Sequence, residues 1–197
     1  MRRHAPATAR NRQPILEVLQ SRLPASGLVL EVASGSGEHI IYFAAALPHL
    51  VFQPSDPTDD ARASIDDWIA ESGLANVRPA VTLDAEAPTW PIEQAAAVLC
   101  CNMIHIAPWS AAVGLITGAG RLLPAGGLLY LYGPYRRGGQ HTAPSNEAFD
   151  LDLRRRNPAW GVRDLEAVTE LAAAHRFAAP EIVEMPANNL SLAFRRT

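Results

Sequence analysis

Val29-Leu-Glu-Val-Ala-Ser-Gly-Ser-Gly-Glu-His39 joins a short apolar run to an acidic residue, then to two glycines two positions apart. The apolar run reads as a buried strand. Gly35 and Gly37 then make a tight turn into a helix whose free N–H groups face outward and whose backbone a ligand can approach closely. This order of strand, turn and helix predicts a nucleotide or nucleoside site.

Working toward the N-terminus, Pro14, Ile15, Leu16, Val18, Leu19 and Leu23 recur at helical spacing. They predict a helix over 11–26, with Pro14 in its first turn and Gly27 as its stop. Toward the C-terminus, Ile40, Ile41, Phe43, Ala44 and Leu47 form the stripe of a second helix ending at Pro48, and 51–53 is a strand closing on Pro54. Residues 59–72 read as a crossover helix carrying Ile65, Trp68 and Ile69. Strands are predicted at 77–83, 96–102 and 128–132, with a helix over 111–123 between the last two. The nearly continuous apolar run 96–102 suits a central parallel strand covered on both faces. A last helix over 163–175 precedes two strands, 181–185 and 190–195, that can pair antiparallel. Strands alternating with helices specify an α/β, Rossmann-like, doubly wound and mostly parallel seven-stranded sheet with helices on both faces. Residues 133–161 break the rhythm: this polar stretch, dense in Gly, Pro, Asn and Arg, is expected to be a lid or substrate loop.

The 197 residues predict one domain, since a chain of this size buries roughly 70% of its unfolded surface in a single core. A net charge of −3 argues against a nucleic-acid-coating surface, and the arginine run 154–156 reads as a solvated helix face. Cys100 and Cys101 are neighbours in a strand and so point to opposite faces, which predicts buried thiols without a disulfide. With no secretory leader at the start and no apolar run long enough for a bilayer, the expectation is a cytoplasmic protein without a membrane partner. No His, Cys and Asp residues stand at metal-ligand spacing, so no metal is expected.

In an open α/β sheet, ligands bind at the carboxyl ends of the strands. The residues expected there are Glu31 to Gly37, Asp56, Asp84, and Asn102 with His105. Asp56 follows Gly37 by 56 − 37 = 19 positions, the separation at which a carboxylate reaches a ribose. The turn lacks the third glycine of the dinucleotide fingerprint, which counts against a nicotinamide-dependent oxidoreductase. Glu31 would repel a pyrophosphate, yet it suits a cationic amino-acid group. Several alternatives stay open at this stage. Gly35, Gly37, Asp56 and Asp84 can be an ordinary turn and caps, His105 a general base or a satisfied histidine, and Tyr135, Asn146, Asn188 and Asn189 a substrate pocket or anchors of the long loop.

These residues resemble the class I S-adenosylmethionine (SAM)-dependent methyltransferases, with Ala33 standing where the first glycine is often found. A nearer resemblance, across almost the whole chain, is to the uncharacterised methyltransferase-like 26 group, formerly a domain of unknown function. It is carried by Arg10-Asn-Arg12, Leu30-Glu-Val-Ala-Ser-Gly-Ser-Gly37, Gln53-Pro-Ser-Asp56, Gly133-Pro-Tyr135, Asn157-Pro-Ala-Trp-Gly161 and Met185-Pro-Ala-Asn-Asn189. The resemblance implies a SAM-binding fold, with SAM as cofactor and S-adenosylhomocysteine as product, and brings no established substrate; the acidic pI and the lack of a basic groove favour a small-molecule acceptor over nucleic acid. It implies that Glu31, Ala33, Gly35 and Gly37 hold the methionine end, Asp56 the ribose and Asp84 the adenine amino group. Asn102 and Met103 would border the sulfonium, Asn11 or Arg12 would pair the carboxylate, and His105, Tyr135, Asn146 and Asn188 would face the acceptor. A non-catalytic SAM-binding module is the alternative.

Overall fold

A computed structural model describes residues 1–197. In chain order the elements are α1 (Pro6–Gln20), β1 (Leu28–Glu31), α2 (Glu38–Ala46), β2 (Val51–Asp56), α3 (Asp59–Ser72), β3 (Val81–Thr82), β4 (Ala97–Cys101), α4 (Trp109–Leu122), β5 (Leu128–Gly133), β6 (Tyr135–Arg137), β7 (Gln140–His141), α5 (Pro144–Arg156), β8 (Arg163–Asp164), α6 (Leu165–Ala174), β9 (Glu181–Met185) and β10 (Asn189–Arg195). Seven strands form the main sheet in the order β3-β2-β1-β4-β5-β10-β9. The first five are parallel, and β10 runs antiparallel to both β5 and β9.

Alternation along each central strand sends side chains to two cores. Leu30, Val98, Leu129 and Leu192 meet Leu115 and Ile116 of α4 and Val168 of α6 on one face. Val29, Ala97, Leu99 and Tyr130 meet Ile15 and Leu19 of α1 and Ile40 and Phe43 of α2 on the other. Cys100 and Cys101 divide between these faces as free thiols, the first buried and the second partly so. No helix is long and apolar enough to cross a membrane.

Four sequence expectations need correction. The first helix starts at Pro6, where a missing N–H is no loss, carries Pro14 in its interior, and ends at Gln20 because Pro24 cannot continue it. β2 runs on through Pro54 to Asp56. Its outer ladder is broken there, with pairing only at Phe52–Val77 and from Ser55–Val81 onward, so proline interrupts nothing that was formed. For the same reason the third strand shrinks to Val81–Thr82.

The fourth correction concerns 133–161, which is an ordered unit and not a loop. Here β6 pairs with β7 and β8 in a second, three-stranded sheet, and α5 follows. Pro144 opens α5, Glu147 lies in its first turn and Arg154, Arg155 and Arg156 in its last, all in agreement with the helix dipole. Its buried residues, Asn146, Asp150 and Leu153, have helical spacing, but two of the three are polar, so no apolar stripe announces the helix. Asp150 organises the unit by accepting the Val162 N–H at 2.6 Å and Arg154 Nε at 3.0 Å, with His141 Nε2 at 3.4 Å. Although burial opposes ionisation, these donors hold its carboxyl below the usual range.

Replacing Asp150 by Ala should therefore lower stability by about 1–3 kcal/mol through the buried donors left unpaired. Urea unfolding reads this as a lower midpoint; an unchanged midpoint would mean that the unit is held by other contacts.

Candidate functional site

The carboxyl ends of β1 and β2 are joined by a short set of hydrogen bonds. The Ser34 N–H donates to Ser55 O at 2.8 Å, Ser55 Oγ to Glu31 O at 2.7 Å, and the Gly35 N–H to Asp56 Oδ2 at 3.1 Å. The other oxygen of Asp56 accepts the Thr58 N–H and hydroxyl at 3.0 and 2.9 Å. Three of the roughly four acceptor sites of this carboxylate are thus taken by the protein, so Asp56 shapes the turn as well as facing it.

The two glycines do different work. Both have left-handed backbones, φ +60° at Gly35 and +92° at Gly37. A Cβ on Gly35 would meet nothing within 4 Å, whereas one on Gly37 would come within 2.9 Å of Ile65 Cα. Gly37 therefore lets α2 lie against α3, and only Gly35 leaves the backbone open to a ligand. Ala33 is also left-handed, φ +58°, a conformation that glycine would adopt with less strain.

On one side of the turn lies an apolar cleft of about 230 Å³ walled by Val32, Ala33, Pro57, Leu83, Ala85 and Met103, with Asp84 among its lining residues. Asp84 is exposed and accepts the Glu86 N–H at 2.9 Å through one oxygen. Asn102, at φ +64°, donates its N–H to Tyr132 O at 2.8 Å and so turns the chain into the segment that carries Met103. A larger groove of about 680 Å³ lies by Gly27, Arg78 and Arg121, at the amino ends of the strands and away from these groups.

A polar cluster occupies the other side. Glu31 is 2% exposed and its Oε2 has no partner. Burial pushes its carboxyl up to about 7, with Ser34 opposing and Asp56 adding to the rise. A His39 ring nitrogen, a Glu31 carboxylate oxygen and the Cys101 thiol lie within 4.8 Å of one another. His39 Nε2 is 2.8 Å from Asn11 Oδ1, and its ring stacks on Phe43. Burial lowers the imidazole to about 4, with Glu38 opposing and Arg12 adding, so it is neutral at pH 7. Asn11 also lies beside Tyr132. Arg12 instead lies over the Tyr42 ring at 4.5 Å.

His39, Cys101 and Tyr132 were missed by the sequence reading. Together with Glu31 and Asn11 they come from five separate elements, so no linear spacing announces them. The only available signal was His39 two residues beyond Gly37.

The residues expected to face an acceptor are placed otherwise. His105 and Tyr135 are fully buried and edge to face, with ring centroids 5.0 Å apart. His105 Nδ1 accepts the Arg163 N–H at 3.3 Å, and its Nε2 abuts Gly133, where a Cβ would come within 2.5 Å. Burial, with Arg163 assisting, drops this imidazole to about 3. It braces β5 against β8 and meets no solvent. Asn146 Nδ2 donates to Thr142 Oγ1 at 3.1 Å and Asn188 O at 2.9 Å, and Asn188 Nδ2 to Ser145 Oγ at 3.3 Å. This pair fastens α5 to the turn between β9 and β10.

Two stability measurements follow from this geometry. Gly35→Ala should cost about 1–2 kcal/mol for its left-handed backbone, and Gly37→Ala more, because its methyl also meets α3. Equal unfolding midpoints would contradict the division of labour. Glu31 keeps its proton to about 7 in the folded chain and loses it near 4.5 unfolded. The folded state thus holds an extra proton between those values, and stability falls as pH rises through them, by about 3 kcal/mol in all. Glu31→Gln should remove that fall, gaining stability over the parent above the window and not below it; a pH-independent difference would contradict it.

The sequence matches, over residues 2–196, the family described as "Protein of unknown function (DUF938)". Its fold is similar to that of an O-methyltransferase family protein from Burkholderia thailandensis, with a TM-score of 0.82 at 17% identity over 97% of this chain and 57% of that one. Human N-acetylserotonin methyltransferase, solved in complex with SAM, gives 0.81 at 11% identity over 96% and 52%. The YcgJ protein of Bacillus subtilis gives 0.73 at 15% over 96% and 99%. This chain spans a little over half the length of the first two and nearly all of the third. The common element is the seven-stranded fold. By its match across almost every residue, the chain belongs to the DUF938 family.

Proposed function

We propose that the protein, as a single 1–197 domain, transfers a methyl group from SAM to a small-molecule acceptor. The observation that carries this reading is the buried Glu31 carboxyl, with an unpartnered oxygen at the glycine turn beside an apolar cleft lined in part by Asp84. A ligand with an apolar heterocycle at one end and a cation at the other fits both parts. Support comes from the fold shared with proteins named as methyltransferases, one of them solved with SAM. The resemblance to the methyltransferase-like 26 group belongs to the same reading.

SAM supplies a methyl group activated by its positive sulfur. The chain's own residues bind and orient. Val32, Leu83 and Met103 give adenine an apolar slot, and the free oxygen of Asp84 accepts from its amino group. Asp56 shares its remaining lone pair with the ribose, Glu31 ionises against the ammonium, and Gly35 leaves room for close approach. Asn102 and Met103, at the carboxyl end of β4, would border the sulfur. Displacement at a methyl carbon needs chiefly alignment of nucleophile and leaving group, which holding both reactants in one pocket provides.

Isothermal titration with S-adenosylhomocysteine tests the binding half. The folded protein should bind it, and Asp84→Ala should weaken binding by about tenfold or more, the loss of one hydrogen bond to a charged group, with the fold intact. No binding to folded protein would remove the proposal. Tritium from labelled SAM should pass to a small molecule of a cell extract; binding without transfer would favour the non-catalytic module.

A further inference from the structure

Glu31, His39 and Asn11 form a set that pairing an ammonium alone does not account for. Three elements, β1, α2 and α1, deliver a carboxyl, an imidazole and an amide to one place, and the Cys101 thiol closes it from β4. Asn11 fixes the ring. Its Oδ1 can only accept, so it takes the His39 Nε2–H, and Nδ1 of the neutral ring carries the lone pair. No side chain in the structure donates to that nitrogen.

The charges around this set are few. Asp56 faces it from β2, Glu38 and Arg12 flank the imidazole from α2 and α1, and Cys101 and Tyr132 are neutral neighbours from β4 and β5. Glu38 is already occupied by the Ala5 N–H at 2.6 Å and by His4, and Arg12 is held over the Tyr42 ring with its N–H donors unpaired. Of these groups, Glu31 and His39 are the acid and base that stand within 4.8 Å of each other. An α-amino acid carries its ammonium and carboxylate on the same carbon, so its two partners must lie a few ångström apart, as these do.

Resting on the SAM reading above, we propose that Glu31 and His39 form a clamp for a zwitterionic α-amino-acid end, and that a proton passes from Glu31 to His39 as it binds. The Glu31 O–H bond breaks, the His39 Nδ1–H bond forms, and no proton enters or leaves the site. Glu31 then pairs with the ammonium, and His39, still donating through Nε2 to Asn11, donates through Nδ1 to the carboxylate. In the free protein burial keeps both groups neutral, Glu31 up to about 7 and His39 down to about 4, so neither charge is carried unpaired. His39 is thereby a specificity residue: it selects nucleosides that carry a carboxylate beside the ammonium.

Proton counting separates this from binding by Glu31 alone. Titrations at about pH 6 in phosphate and in Bis-Tris give the protons exchanged on binding, from the dependence of the heat on the buffer. S-adenosylhomocysteine should exchange close to none. Its decarboxylated analogue, which has the ammonium only, should release about one proton, and 5′-methylthioadenosine, which has neither charge, should bind most weakly with no exchange. In His39→Gln, which keeps a polar side chain but cannot take the proton, S-adenosylhomocysteine should release about one proton and bind about tenfold or more weakly. Release of one proton by S-adenosylhomocysteine from the unaltered protein overturns the clamp and leaves the SAM reading standing. Binding of none of the three overturns both.

Discussion

The link between the ends of β1 and β2 is the constraint on which the site depends. Ser34, Ser55, the Gly35 N–H and the Asp56 carboxylate tie two parallel strands at the point where each gives way to a helix. Because Asp56 also caps the turn before α3, one side chain sets the entry of two helices. Gly37 then allows these helices to touch at Ile65. What remains free after this bracing is narrow: the open face of Gly35, the buried oxygen of Glu31 and the apolar cleft by Asp84. The site is the part of the turn that the fold does not use.

The two sides of the turn differ in physical character, and in the proposed function that difference would orient the ligand. Toward α4, the cleft is apolar, with Asp84 among its lining residues, and suits a flat ring buried by its surface. Toward α1 and α2, the walls are a carboxyl, an imidazole, an amide and a thiol, all uncharged in the free protein between about pH 4 and 7. Buried groups that stay neutral until a charged ligand arrives avoid the desolvation that a standing ion pair would carry. The same carboxyl weakens the fold at higher pH, which is the usual direction of compromise at a binding site.

The fold was legible because its signals are apolar and periodic. The runs at Val29, Ala97 and Leu128 read as central strands, and the stripe from Ile40 to Leu47 as a helix, directly from the spacing of buried side chains. The segment 133–161 was misread for the opposite reason: α5 buries Asn146 and Asp150, so its helical period is written in polar residues, and its end signals, Pro144, Glu147 and the three arginines, stood without a stripe. The site was half legible. Glu31, Gly35 and Asp84 lie within or just beyond recognisable strand ends, whereas His39, Cys101 and Tyr132 join them only through the sheet order. His105 shows the limit of residue type as a guide, since an imidazole next to a strand end proved to be a buried brace.

The central claim is that a nucleoside bearing an amino-acid end lies across the strand ends, ring toward α4 and charges toward α1. A crystal structure of the protein grown with S-adenosylhomocysteine tests it most directly. The account predicts adenine between Ala33 and Met103 with its amino group on Asp84, the ammonium on Glu31 and the carboxylate on His39. Density for the ligand in the groove by Gly27, Arg78 and Arg121, at the amino ends of the strands, would contradict it.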